Sequence, residues 1–226
     1  VDALIYALQY EKSKQIIFRR TFPDLERSII RTSMELYPRQ IASYNSSKHT
    51  WTFQNGSIID FGYIDNENDV YQYQSAEYDV IRFDELTHFT EYMYTYMISR
   101  CSGANGYPKR IKSSTNPGGV GHVWVKERFI DIGKYGEIHE CRLETGEKTT
   151  RLFIPSFVTD NKFLMESDPD YVKRLDALPE KERKALKDGN WDIFDGQYFK
   201  DFDRSVNVIE PFIIPDNWDR YRTIDY

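Results

Sequence analysis

"VIRFDELTHF", residues 80–89, is the stretch on which the fold turns. It begins as an apolar run of the kind that forms a buried strand and ends in two adjacent carboxylates, Asp84 and Glu85. In open parallel α/β sheets, ligands bind beyond the carboxyl ends of the strands. A strand tip with Asp-Glu can hold Mg²⁺ and polarise water. Strand alternation sends adjacent side chains in opposite directions, which would separate the two tasks. The same letters also describe an acidic edge facing solvent, so the neighbouring segments have to decide.

Those segments alternate between helix and strand. Upstream, "VDALIYALQYEKSK" places Val1, Leu4, Ile5 and Leu8 on one helical face. "QIIFR" (15–19) reads as a strand. "TFPDLERSIIRTSMELYP" reads as a helix with Pro23 in its first turn and an apolar face of Leu25, Ile29 and Ile30. "HTWTFQNGSIIDFGYI" alternates around Asn55-Gly56, a strong hairpin signal. Downstream, Thr90 to Arg100 reads as a helix, "RIKSSTNPGG" as a strand running into a turn, and "HVWVKERFIDI" as a further helix. "EIHECRLETGEKTTRLFIP" reads as a second hairpin turning near Thr145-Gly146. This order predicts an α/β sheet with mainly parallel strands and hairpin insertions. After about residue 157 the texture changes to two short charged helices, the second ending near Gly189. Residues 195–218, with Gly196, Pro211 and Pro215, read as a connector, and "YRTIDY" as a strand just beginning.

Composition sets limits. The chain has 226 residues, 40% hydrophobic and 29% charged, which is ordinary for a globular protein with a large core. No apolar stretch approaches the roughly 20 residues of a membrane span. A net charge of −6 argues against a broad nucleic-acid-coating surface while leaving room for a local basic patch. Cys101 and Cys141 stand in no metal-like spacing and read as free thiols. His49, His88, His122 and His139 are scattered and none is assigned to a metal. Trp51, Trp124 and Trp191 read as packing residues rather than base-stacking platforms.

A second polar strand tip matters as much as the first. "SSTNPGG" (113–119) offers Thr115 and Asn116, short groups able to contact a terminal phosphate or an attacking water. Pro117-Gly118-Gly119 forces a turn and permits close backbone approach. About thirty residues separate it from Asp84, enough for one helix and one strand, so the two tips can be sheet neighbours. An Asp at such a tip in nucleotide hydrolases holds Mg²⁺, and the Glu after it activates water.

Together these segments resemble the large terminase subunit of tailed bacteriophages, the ATP-driven motor that packages DNA into capsids. The matching stretches are "IIFRRTFPDLERSI", "FQNGSIIDFGYID", "YQSAEYDVIRFDELTHF", "SSTNPGG", "VTDNKFL" and "LKDGNWDIFDGQYF", in that order. The resemblance implies a P-loop NTPase-like domain of the additional-strand, catalytic-glutamate type. It would occupy residues 1–194, with a small helical subdomain near 160–194. A linker at 195–218 and the start of a nuclease domain at 219–226 would follow. By the resemblance, Asp84 is the Walker B residue for Mg²⁺ and Glu85 the catalytic carboxylate. Thr115 and Asn116 belong to the coupling motif. One of Arg19 and Arg20, with Arg19 placed first, contacts nucleotide phosphate or a neighbouring subunit, and Asp225 is the first metal-binding carboxylate of the nuclease. ATP and Mg²⁺ are the implied cofactors. Double-stranded DNA, the portal protein, the small terminase subunit and further copies in a ring are the implied partners. The implied setting is the host cytoplasm, with no membrane association.

The sequence also departs from that family. Its glycine-rich Walker A loop should lie just before the first helix, and no such stretch occurs here. Ser75 stands where the family commonly has Gly, and Arg82 interrupts the apolar strand on the same face as Asp84. Arg82 is therefore expected to pair with a carboxylate. Another Walker-type ATPase such as a helicase, a metal nuclease, and a non-enzymatic fragment remain open as alternative readings.

Overall fold

A computed structural model gives the structure of the protein and describes residues 1–143 and 146–192, together with Phe212, Pro215 and Trp218. The chain divides into a compact unit, Val1–Ile193, and a second unit, Phe194–Tyr226. In the second unit the Trp218 N–H donates to the Pro215 carbonyl at 3.1 Å and the Phe212 and Trp218 rings meet edge to face. The proposed nuclease start, including Asp225, lies outside the described residues, as does nearly all of the connector.

The first unit is built on a six-stranded sheet in the order β2-β3-β4-β1-β5-β6. Its strands are β1 Lys14–Arg19, β2 Ala42–Asn45, β3 Thr50–Phe53, β4 Ile58–Tyr63, β5 Val80–Asp84 and β6 Arg110–Ser114. β4, β1, β5 and β6 run parallel, and β2 and β3 add an antiparallel edge. The mainly parallel α/β class therefore stands as expected. Parallel strands buried on both faces need near-continuous apolar sequence, which "QIIFR" and "DVIRFD" supply. In β1, Ile16 and Phe18 face one core and Ile17 the other.

Helices cover both faces. On one side α1 (Asp2–Gln9) and the α2–α3 rod pack over Ile17, Trp51, Ile59 and Phe61. That rod is α2 (Phe22–Leu25), a π-helical turn (Glu26–Ile30) and α3 (Arg31–Leu36). Thr21 caps its start by accepting from the Asp24 N–H, and Pro23 sits where its missing N–H costs nothing. On the other side α4 (Glu91–Ile98) and α5 (His122–Val125), continued by a π-helical turn Lys126–Ile130, pack over Phe18, Ile81 and Phe83. The Phe18 and Phe83 rings stack at 5.4 Å, and Phe89 meets Phe83 edge to face at 5.1 Å. Such pairs contribute about 0.5–1.5 kcal/mol beyond their buried area.

Two local readings change. The stripe Val1, Ile5 and Leu8 of α1 is exposed, whereas Ala3, Tyr6 and Ala7 are buried. The two alanines let the helix lie close on the sheet, and Tyr6 reaches across to donate to the Pro108 carbonyl at 2.9 Å. The hairpin at Asn55-Gly56 forms, but only Gly56 takes positive φ (+83°). The Gly56 N–H closes a turn on the Phe53 carbonyl and the Phe53 N–H pairs with the Ser57 carbonyl, each at 2.9 Å. This is a three-residue loop with a glycine bulge rather than a two-residue primed turn. β2 was not evident as a strand from its sequence.

Beyond β6 lie the hairpin β7 (His139–Arg142) and β8 (Lys148–Arg151), and three short helices. These are α6 (Lys162–Ser167), α7 (Tyr171–Asp176) and α8 (Glu180–Leu186). Gly189 follows α8 with φ +58°, the left-handed conformation expected of a terminating glycine. Trp51, Trp124 and Trp191 are all buried, and Cys101 and Cys141 are free thiols. No helix among the described residues is long and apolar enough to cross a membrane.

Candidate active site at two strand tips

β5 and β6 are neighbours, and their last residues, Asp84 and Ser114, are register partners. The two polar tips thus meet at the carboxyl edge of the parallel sheet. Asp84 is held from both sides. Its Oδ2 accepts from Arg19 Nε at 2.6 Å and faces Nη2 at 2.5 Å. Its Oδ1 accepts from Ser114 Oγ at 2.6 Å. Arg19 ends β1, so three adjacent strands contribute one residue each. The Asp84 side chain stays 25% exposed, open enough to meet a ligand.

Glu85 leaves the strand. It adopts φ 57° and ψ 60°, a left-handed conformation that non-glycine residues take at a cost. Glu85 therefore lies past the last residue of β5, and strand alternation does not set its direction as expected. Among the described residues the Glu85 carboxylate makes no hydrogen bond or ion pair. A 3-10 turn, Leu86–His88, follows at once and is anchored by buried Leu86 and Thr87.

Thr87 links the two tips and was missed by sequence reading. Its N–H donates to Thr115 Oγ1 at 3.1 Å, and the two hydroxyls lie 2.9 Å apart. Thr87 Oγ1 also donates to the Asn116 carbonyl at 3.0 Å, and its own carbonyl accepts from the Gly121 N–H at 2.7 Å. The turn passes so close that a Cβ on Gly119 (φ +81°) would lie 2.7 Å from the Thr87 carbonyl oxygen. Glycine is thus required there on two counts. The signal was present in "DELT" against "STN": a β-branched hydroxyl three residues past the end of β5 and another one residue past the end of β6. The Asn116 side chain is left exposed.

The other arginines go elsewhere. Arg20 Nη1 donates to the Ile64 carbonyl at 3.2 Å and to Met93 Sδ at 2.9 Å, so its head points into the fold. Arg82 pairs with Asp2 at 2.6 Å and donates to Gln15 Oε1 at 2.6 Å, not with Asp84. Lys112 also reaches Asp2 at 2.6 Å. Burial works to raise the Asp2 pKa, but Lys112 and Arg82 outweigh it and hold the carboxyl below its usual range.

Among the described residues there is no group of three or more His, Cys, Asp or Glu side chains placed to hold a metal. That does not disqualify Mg²⁺ beside Asp84. Mg²⁺ in phosphoryl-transfer sites takes one or two protein oxygens and fills its octahedron with water and substrate phosphate. One carboxylate with a hydroxyl at its side fits such a site.

A parallel sheet with an Asp-Glu tip next to a polar turn is the arrangement of P-loop NTPase-like proteins. Phage terminase large subunits match residues 2–189, and the chain belongs to that family. Among solved structures it is similar to the large terminase of a thermophilic bacteriophage. One crystal form of that protein aligns with TM-score 0.62 and 18% identity over 86% of this chain and 47% of the other. The same terminase in complex with ADP aligns with TM-score 0.59 and 17% identity over 85% and 46%. Its complex with ATP-gamma-S aligns with TM-score 0.59 and 16% identity over 84% and 42%. The chain thus spans about half the length of the terminases it matches. No curated protein matches it.

Proposed function

We propose that the chain is the motor portion of a large terminase, in which ATP hydrolysis drives double-stranded DNA into a procapsid. The observation that carries the reading is the meeting of Asp84, Glu85, Arg19 and the Thr115-Asn116 turn at one edge of a parallel sheet. In it Asp84 holds Mg²⁺, whose chemistry is to neutralise phosphate charge. Glu85, on its left-handed turn and unpartnered among the described residues, orients the attacking water and takes its proton. Arg19 is poised to exchange its hold on Asp84 for a phosphate oxygen, for which its planar fork is suited. Thr115 and Asn116 sense the terminal phosphate. The complexes of the thermophilic phage's terminase with ADP and ATP-gamma-S support a nucleotide as the ligand.

Phosphates in such sites are held mainly by backbone N–H groups of a glycine-rich loop. No such loop occurs in the 226 residues. The reading assigns it to polypeptide outside them. β6 pairs with β5 alone among the described residues, leaving an edge for a further parallel strand. The same reading places a nuclease beyond the connector with Asp225 as its first metal ligand. It takes the portal protein, the small terminase subunit and ring-mates as partners, in the host cytoplasm.

The test is Glu85→Gln in the full-length protein. Nucleotide binding should stay within a few-fold of wild type while turnover is abolished, because size is kept and the base is lost. Asp84→Asn should instead weaken the Mg²⁺ dependence. Normal hydrolysis by both variants would reduce "DE" to an acidic edge.

A further inference from the structure

We infer that His122 is a positioning residue that ties the Asn-Pro-Gly-Gly turn to Trp191, so that a change in the turn is passed to the end of the first unit. The inference rests on the reading of that turn as the sensor of the terminal phosphate.

His122 lies three residues past the turn and is buried. The Gly118 N–H donates to its Nδ1 at 2.9 Å. Its Nε2 lies 3.1 Å from the Trp191 carbonyl. An amide N–H can only donate and a carbonyl can only accept, so the ring is neutral with its proton on Nε2. The two ends of one imidazole therefore hold two segments 73 residues apart, from Gly118 to Trp191. The Trp191 indole also stacks on the ring, centroids 5.3 Å apart and planes inclined by 25°.

A second contact repeats the connection. Lys126, one helical turn on and also buried, reaches Asp192 at 2.7 Å. His122 and Lys126 thus grip consecutive residues, Trp191 and Asp192, from one helix face. Trp191 in turn meets Phe153 edge to face. The turn itself is bonded through Thr115 and the Asn116 carbonyl to Thr87, two residues after Glu85. A contiguous set of bonded groups therefore runs from the Glu85 turn to the residues from which the chain enters its second unit. The bonds at Nδ1 and Nε2 of His122 can be removed separately, which makes coupling through it measurable.

The experiment is hydrogen exchange on the full-length protein, with and without ATP-gamma-S, read over residues 113–122 and 184–192. In wild type, nucleotide should alter protection in both segments. His122→Asn keeps an acceptor near the Nδ1 position but is too short for the Trp191 carbonyl. It should respond at 113–122 and lose the response at 184–192. His122→Gln, which extends a donor toward Trp191 but lacks the Nδ1 acceptor, should lose it too. A thermal melt of each variant checks that it is folded. If one variant fails to fold, the other decides. An unchanged response at 184–192 in a folded variant, or none there in wild type, overturns the inference. Absence of any wild-type response at 113–122 would instead tell against the turn as a phosphate sensor.

Discussion

Arg19 closes on Oδ2 of Asp84 through Nε at 2.6 Å and Nη2 at 2.5 Å while Ser114 occupies Oδ1. A cation placed there aims the carboxylate and, on the proposed reading, stands ready for a phosphate brought to Mg²⁺. We expect Arg19→Ala in the full-length protein to lower ATP turnover by about 10³, the order associated with loss of a phosphate-facing arginine. Arg19→Lys should recover part of it, because a lysine supplies charge without the planar fork. Steady-state phosphate release measures both. Wild-type turnover in Arg19→Ala would leave the residue a mere counter-ion.

Thr87 makes the second prediction. Its hydroxyl and N–H join the Asp-Glu tip to the Thr115-Asn116 turn in a part-buried setting. Thr87→Val keeps the shape and removes the hydroxyl. It leaves the Asn116 carbonyl without that donor. Thr115 Oγ1 still donates to that carbonyl at 3.1 Å, so the expected cost is that of one hydrogen bond, about 0.5–1.5 kcal/mol in denaturant unfolding. Thr87→Ser, which keeps the hydroxyl, should lose less.

The order of elements was legible because its signals are local. Apolar runs of strand length, Pro23 after Thr21, and the Asn-Gly and Asn-Pro-Gly-Gly turns each act over a few residues. The adjacency of Asp84 and Thr115 followed from chain length and parallel topology. What could not be read depends on distant partners. α1 buries its alanines rather than its larger apolar side chains, because closeness to the sheet governs the packing. Arg82 finds Asp2, a residue eighty positions away in sequence. Glu85 takes a left-handed conformation that no propensity favours, stabilised by buried Leu86 and Thr87 beside it. The resemblance to terminases named Asp84, Glu85, Thr115 and Asn116 directly, but it did not show Thr87 and His122 joining them to the rest.

A third prediction concerns the 226 residues taken alone. They carry Asp84, Glu85 and Arg19 but no glycine-rich loop with its lysine. Phosphoryl transfer depends chiefly on positioning and electrostatic stabilisation. Without that loop, Arg19 alone would not hold the β- and γ-phosphates in line. Purified residues 1–226 should release no phosphate beyond that of their Glu85→Gln variant. Turnover above that control would mean the phosphates are cradled by Arg19, Arg20 or the "NPGG" turn, and would displace the site proposed above.

The last prediction lies at the opposite end of β5, where Asp79 precedes the strand. Its side chain is 3% exposed and fully engaged. Oδ2 accepts from the Lys14 N–H at 2.8 Å, and Oδ1 from Lys109 Nζ and Asn105 Nδ2, each at 2.8 Å. Burial alone would raise the Asp79 pKa. The Lys109 ammonium, the Lys14 N–H and Asn105 oppose it and win, so the group titrates below 3.8, its ordinary value. The sign follows: the unfolded chain takes up the proton first as pH falls. The carboxylate's stabilising contribution is therefore fully present above pH 3.8 and is lost as pH drops through the lower, folded-state value. Asp79→Asn removes the charge, leaves Lys109 facing a neutral amide, and turns an acceptor into a donor toward one of its partners. We expect a loss of about 3 kcal/mol at neutral pH, as for other buried pairs deprived of one partner. Denaturant titrations of both proteins at a series of pH values measure it. The gap between them should narrow below pH 3.8. A gap that stays constant down to the acid limit would show that packing around Asp79, rather than its charge, holds the two strand ends together.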